Sequence, residues 1–222
     1  MEQPTERTNA DSASSPWLKL SLGACSVVLL AFAVFAVRSA SRYQHDAQMP
    51  SASGTPQVYG HVQKFLFTDE DGKPFDSVNL NGKVWVADFF FTRCPGTCLS
   101  MAKSMLAVRK DLGPLAAEIP TVSLTMDAEF DTPAVLKQYH QARADGVSNW
   151  YFLTGKKEDI MKLSRESFML AAQEKIQDDG DILHSTHFVL VDKQMQIRGF
   201  YDGLDPEQVK RLSADAKKLA AE

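Results

Sequence analysis

The 222-residue chain contains only three cysteines, no block of basic residues, and no proline between Pro133 and Pro206. With a net charge of −4 and no basic block, the composition argues against a nucleic-acid-binding surface. A domain of this size folds without a disulfide staple, so we expect no structural disulfide framework. The hydrophobic content of 44% argues against disorder, and the length suits one ordinary domain plus a tail.

The amino-terminal region reads as three consecutive segments. The first 19 residues are mostly polar and predict a disordered tail. Residues 20–37 carry no charge, and as a helix this run reaches about 27 Å, enough to cross a bilayer core. We therefore predict a transmembrane anchor over residues 20–38, a polar linker over residues 39–57 and a globular domain over residues 58–222.

Three alternatives to a retained membrane span fit the sequence less well. A buried core helix of this length would show a polar stripe. A cleaved signal peptide would have a shorter apolar core and an exit of small residues. In a lipoprotein the modified cysteine comes at the end of the apolar run, but here most of the run lies after Cys25. Lysine and arginine are balanced on the two sides of the span, so charge leaves its orientation open.

Apolar periodicity in residues 58–222 predicts an α/β domain. Residues 83–91 form a nearly continuous apolar run, which is typical of a strand buried on both faces. Further strands are predicted over residues 62–67, 119–126, 150–153, 188–191 and 196–201, and helices over residues 99–112, 133–144, 156–170 and 206–221. Strand–helix alternation that ends in a hairpin and a helix predicts a thioredoxin-like fold, with a mixed sheet between helices.

Cys94 and Cys98 directly follow the 83–91 strand, in the stretch FFFTRCPGTC. Open α/β sheets place their sites at this carboxyl edge. At a helix start, four positions apart, the two sulfurs are expected on one face, where the helix end and Arg93 would favour thiolate. These features suit a redox dithiol and a metal-binding dithiolate equally. A thioredoxin-type switch, however, normally has the tighter C-x-x-C spacing.

A third metal ligand would have to come from five histidines: His45, His61, His140, His184 and His187. The first three lie in the predicted linker, at the domain entry and in a helix, and are poor candidates. His184 and His187 precede the last hairpin, in the loop expected to face the cysteines, and their spacing allows only one to do so. Thioredoxin-type enzymes carry a proline in that loop, which is absent here. Two thiolates and one imidazole suit copper(I), with zinc as the rival.

Three sequence blocks together resemble the SCO/SenC family of membrane-anchored copper-binding proteins, which assist assembly of the binuclear copper centre of cytochrome c oxidase. The blocks are DFFFTRCPGTC, LTMDAEFDTPAVLKQY and DILHSTHFVLVD. The resemblance implies that Cys94, Cys98 and His184 hold copper, with a Cys94–Cys98 disulfide as the resting or recycling state; His187 is the runner-up. The chain departs from the family pattern at Leu99, Ala128 and Leu183.

The resemblance also implies a location and partners. The amino terminus would lie inside and the domain on the periplasmic side of the inner membrane. The copper-centre subunit of the oxidase would be the partner, with a thiol reductase as a further one. Asp127 and Asp131 are expected to be structural, and Asp131 or Thr132 to cap a helix. We expect a metallochaperone; the alternatives are a thiol–disulfide reductase, a peroxidase-like enzyme and an anchored domain with a vestigial site.

Overall fold

A six-stranded mixed sheet forms the centre of the computed structural model, which describes residues 57–169 and 185–222. Its strands are β1 Gly60–His61, β4 Trp85–Phe90, β5 Thr121–Thr125, β6 Trp150–Leu153, β7 His187–Val191 and β8 Gln196–Asp202. They are ordered β1–β8–β7–β4–β5–β6; β4, β5 and β6 are parallel, and β7 is antiparallel to both β4 and β8. A separate hairpin pairs β2 (Leu66–Thr68) with β3 (Pro74–Asp76).

The predicted tail and anchor, and nearly all of the predicted linker, lie outside the described residues, as does His184. Within residues 57–169 and 185–222, no helix has the length and apolar character needed to span a membrane.

Helices cover both faces of the sheet, as the sequence predicts. The helices are α1 Thr97–Leu112, α2 Pro133–Ala144, α3 Lys157–Glu166 and α4 Pro206–Ala221. Side chains of α1, α2 and α4 pack on one face against Val86 and Phe90 of β4. Those of α3 and the β2–β3 hairpin pack on the other face, against Trp85 and Phe89. All six residues of β4 are buried, because β5 and β7 flank the strand and both of its faces are covered.

The structure differs from the sequence prediction mainly at element ends. The 62–67 strand is reduced to β2, and β1 was not predicted, because two residues are too few for an alternating pattern to show. α1 begins at Thr97, after an N-cap at Gly96, so Cys94 precedes the helix. α3 ends at Glu166 rather than at residue 170. The bounds predicted for β6 and α4 are confirmed.

The β2–β3 hairpin covers the outer edge of β6. Thr68 and Thr154 exchange backbone hydrogen bonds of 2.8 and 2.9 Å. The Phe152 N–H donates to Glu70 Oε2 at 2.9 Å. Exposed strand edges invite pairing with other chains, and the hairpin covers this one. The opposite edge of the sheet is β1, which is only two residues long.

Candidate metal centre

Cys94 lies in a turn between β4 and α1. Its N–H donates to the carbonyl of Phe91 at 3.2 Å, which makes Thr92 and Arg93 the corner of this turn. Gly96 then adopts a non-helical conformation, with a φ of −162° and a ψ of −55°, before the helix starts. The prediction that Cys94 belongs to the opening of the helix is therefore wrong: a turn, and not a helical repeat, sets its distance from Cys98.

Cys98 is the second residue of α1 and is 8% exposed, whereas Cys94 is half-buried. The N–H of Cys98 donates to Cys94 Sγ at 3.3 Å. The first amides of a helix have no partner within the helix, so the sulfur supplies one. Both cysteines are free thiols. The structure thus brings the two thiols together at the carboxyl end of β4.

The two thiols differ in acidity. Burial opposes ionisation of Cys94, but hydrogen bonds from the backbone of Cys98, Gly96 and Thr97 and from the Cys98 thiol outweigh it, so the pKa of Cys94 is lowered. Burial, together with the neighbouring Cys94 and Asp88, raises the pKa of Cys98 to about 12, although a backbone hydrogen bond at Phe91 opposes the rise. Cys94 is therefore the thiol that ionises first.

Arg93 is bound by a carboxylate instead of being reserved for the Cys94 thiolate. Its Nε and Nη2 donate to Asp127 Oδ2 at 2.9 and 2.5 Å. The guanidinium also stacks over the Phe130 ring, 4.3 Å from the ring centroid. The Cys94 thiolate is therefore stabilised by hydrogen bonds from the start of α1, and not by Arg93 as the sequence predicted.

Asp131 holds the other corner of the turn and does not cap α2. Its fully buried carboxylate accepts a hydrogen bond from Thr92 N at 3.1 Å, and further ones from the hydroxyls of Thr92 and Thr125. The cap of α2 is Thr132, whose Oγ1 accepts from Val135 N at 3.4 Å. Thr92 and Thr125 were not predicted to matter, because nothing in the local pattern links them to a carboxylate elsewhere in the chain.

His187 lies at the site edge but faces away from the cysteines. Its strand alternates, so His187 shares a face with Val189, which packs in the core layer of α3. Phe188 packs in the layer that contains Cys98. Burial lowers the pKa of His187, and Asp202 partly opposes this effect. The runner-up ligand is therefore not brought to the sulfurs.

The remaining described histidines are placed elsewhere. His140 Nδ1 lies 2.7 Å from Glu70 Oε1, and this hydrogen bond raises the pKa of His140. His61 is exposed in β1. Among residues 57–169 and 185–222, no three His, Cys, Asp or Glu side chains form a group able to hold a metal. The described chain resumes at Ser185, directly after His184 and two residues before β7 begins.

A buried carboxylic acid on β4 was missed by the sequence reasoning, because a single Asp88 sits inside an apolar run. It is 5% exposed, and burial raises its pKa to about 7. Ser123 Oγ donates to its Oδ1 at 2.5 Å and accepts from Trp150 Nε1 at 2.9 Å. Asp88 thus lies on the cysteine side of the sheet without a cationic partner among these contacts.

The donor chemistry fits a soft metal ion. Within the described chain the donors at the site are the two thiols, since Asp127 and Asp131 are bound by Arg93, Thr92 and Thr125. Thiolates select copper(I) and zinc over hard cations, and structural zinc takes four ligands. Two sulfurs with one more donor from outside the described residues suit copper(I).

Comparison with known proteins places these residues in a known context. The SCO1/SenC family model matches residues 53–221. A SCO1 protein homolog of Bacillus subtilis is 30% identical over 160 residues, which cover 72% of this chain and 82% of that protein. The structure of BsSco, described as having a disulfide switch and as a Sco-family cytochrome c oxidase assembly protein, has a TM-score of 0.65 at 28% identity, covering 75% of this chain and 97% of that one. ScoI of Bradyrhizobium japonicum, solved with copper bound, has the same fold with a TM-score of 0.58 at 24% identity, covering 72% of this chain and 99% of that chain.

Proposed function

The chain belongs to the SCO1/SenC family, and on this premise we propose that it is a copper-binding protein that takes part in assembly of the binuclear copper centre of cytochrome c oxidase. The observation that carries the proposal is the pair of free thiols at the carboxyl end of β4, with Cys98 N–H bonded to Cys94 Sγ. Copper is here the cargo: the protein binds the ion and delivers it to the copper-centre subunit of the oxidase.

Cys94 and Cys98 are the proposed thiolate ligands of copper(I). The lowered pKa of Cys94 favours the thiolate that first contacts a metal, and a second thiolate follows when the Cys98 proton is displaced. The same pair could close to a disulfide once copper has left, as a resting or recycling state. Reduction by a thiol reductase would then restore the binding form.

His184 is the proposed third ligand. It immediately precedes Ser185, and the antiparallel pairing of β7 with β4 brings this end of β7 to the edge where β4 ends. In an extended chain, position 184 shares a face with Phe188, which packs in the same layer as Cys98. His187 lies on the opposite face of the strand, and we propose no role for it in copper binding.

A membrane anchor over residues 20–38 is part of the proposal, and it rests on the hydropathy of the sequence. It would tether the domain through the 39–57 linker on the periplasmic side of the inner membrane. The comparisons do not favour the alternative of a thiol–disulfide reductase.

Titration of the reduced full-length protein with copper(I), in competition with a chromophoric copper(I) chelator, tests the proposal. We expect one copper per chain, a large loss of affinity in Cys98→Ser and at least about a tenfold loss in His184→Ala. His187→Ala is the matched control and should bind copper as the unaltered protein does.

Unchanged stoichiometry and affinity in both Cys98→Ser and His184→Ala would overturn the copper site. Equal losses in the two histidine variants would contradict the assignment of position 184 alone. Insulin reduction at comparable rates with and without His184, combined with no copper uptake, would favour the reductase.

A further inference from the structure

The turn that carries Cys94 is held from outside by the segment that follows β5. Cys94 lies before α1, so no intrahelical hydrogen bond restrains its backbone; its own amide closes the turn on Phe91. The two corner residues of this turn are each bound by one carboxylate. Asp131 accepts from the N–H and the hydroxyl of Thr92, and Asp127 accepts from the guanidinium of Arg93.

The segment that supplies these carboxylates is itself internally bonded. The amides of Phe130 and Asp131 both donate to the Asp127 carbonyl, at 3.0 and 2.8 Å. The Asp127 amide donates to Thr125 Oγ1 at 3.0 Å, and the Thr125 hydroxyl in turn donates to Asp131. Residues 125–131 therefore form a closed hydrogen-bonded unit at the end of β5, the strand that pairs in parallel with β4.

We propose that residues 125–131 are a clamp that positions Cys94 relative to Cys98. Asp131 acts through Thr92 and Asp127 acts through Arg93, and neither carboxylate touches a sulfur. Because the clamp keeps the half-buried Cys94 Sγ against the amide of Cys98, it raises the effective concentration of one sulfur at the other. Releasing the clamp lowers every equilibrium that needs both sulfurs at once, which here means disulfide closure and copper(I) binding. The copper part rests on the function proposed above.

Another carboxylate in the domain makes a matched control. Asp192, in the β7–β8 hairpin, is 3% exposed and accepts hydrogen bonds from the amides of Gln194 and Gln196 and from Arg198. It is as buried and as well bonded as Asp131, yet it lies at the opposite end of the sheet, where β7 ends and β4 begins. Asp192→Asn should lower stability without changing the thiols.

The test measures the Cys94–Cys98 equilibrium against glutathione, which needs no copper. In this exchange the two protein thiols lose two electrons and two protons and form the S–S bond, while one glutathione disulfide becomes two glutathione molecules. We expect the equilibrium constant for disulfide formation to fall about tenfold in Asp131→Asn and in Thr92→Val, and copper(I) affinity to fall by a similar factor. Thr92→Ser keeps the hydroxyl and should restore both values, and Asp192→Asn should change neither.

Each outcome has a defined consequence. Folded Thr92→Val with unchanged constants overturns the clamp, and this variant decides the matter if Asp131→Asn fails to fold. Equal falls in Asp192→Asn also overturn it, because they would reflect general loss of stability. Absence of copper binding in the unaltered protein, with the glutathione shifts present, refutes the proposed function and leaves the clamp standing. If the unaltered protein binds copper but Thr92→Val changes neither the disulfide equilibrium constant nor the copper(I) affinity, the clamp is refuted and the proposed function stands.

Discussion

Replacing Asp88 by asparagine should stabilise the protein at neutral and alkaline pH. The carboxyl is buried on β4, and its contacts are the hydroxyl of Ser123 and, through it, the indole N–H of Trp150. Asparagine has the same shape and can still accept the Ser123 hydrogen bond through its carbonyl oxygen, but it carries no charge at any pH. The substitution therefore removes the cost of ionising a group in an apolar layer. Burying the asparagine NH2 group adds a cost that does not depend on pH, so the change of stability with pH is the quantity to measure.

The size of the effect follows from the raised pKa of Asp88. Below the ordinary value of 3.8 the group is protonated in both folded and unfolded chains and contributes nothing. As the pH rises above 3.8, the unfolded chain releases the proton while the folded chain keeps it up to about 7, so stability falls across this window. A difference of roughly three pKa units corresponds to about 4 kcal/mol of lost unfolding free energy above pH 7.

Urea denaturation of the full-length protein at pH 4, 6 and 8, followed by fluorescence of the buried Trp85 and Trp150, measures this difference. The stability of Asp88→Asn relative to the unaltered protein should rise by several kcal/mol between pH 4 and pH 8. Asp145→Asn, at an exposed carboxylate after α2, controls for general charge effects. A relative stability that is the same at pH 4 and pH 8, or one that falls between them, would refute the reasoning.

Three further predictions concern stability, each measured by urea denaturation. The hydrogen bond to Glu70 raises the pKa of His140, so this pair contributes fully below pH 6.5 and loses its contribution as the pH rises through the raised value; the loss in Glu70→Gln should shrink from pH 6 to pH 8, and a constant loss would contradict the assignment. Leu136→Ala empties a fully buried position on α2 and should cost about 2–5 kcal/mol, whereas a cost below 1 kcal/mol would mean that the layer collapses around it. Thr132→Ala removes the cap of α2 and should cost about 1 kcal/mol, with Thr132→Ser as the control that retains the hydroxyl; equal costs would exclude a capping role.

Local patterns in the sequence were sufficient for the framework of the fold. The apolar run that became β4 and the Pro206–Ala221 helix are each specified by residues next to one another, so periodicity and capping reveal them. The same holds for the position of the two cysteines after β4. The placing of Cys94 at the opening of α1 was wrong, because Pro95 is compatible with a first helical turn and Gly96 gives no distinct local signal that the helix begins only at Thr97.

The second layer of the site could not be predicted in the same way. Thr92 and Asp131 are 39 positions apart, and their hydrogen bond exists only because β4 and β5 run side by side. The side to which His187 points depends on the register between β7 and β4, which a sequence pattern does not give. Both are consequences of strand pairing and not of local sequence.

The central position of β4 has a consequence for the order in which the site matures. Its parallel neighbour β5 and the 125–131 clamp follow it closely along the chain, while its other neighbour, β7, emerges roughly a hundred residues later. Contacts between distant segments form late, because closing a long loop costs more entropy than closing a short one. The two cysteines and β5 are therefore synthesised well before β7, and also before α4, whose side chains pack in the same layer as Cys98. A ligand next to the start of β7 is therefore absent from a partly synthesised chain, which offers a metal ion only the two thiols.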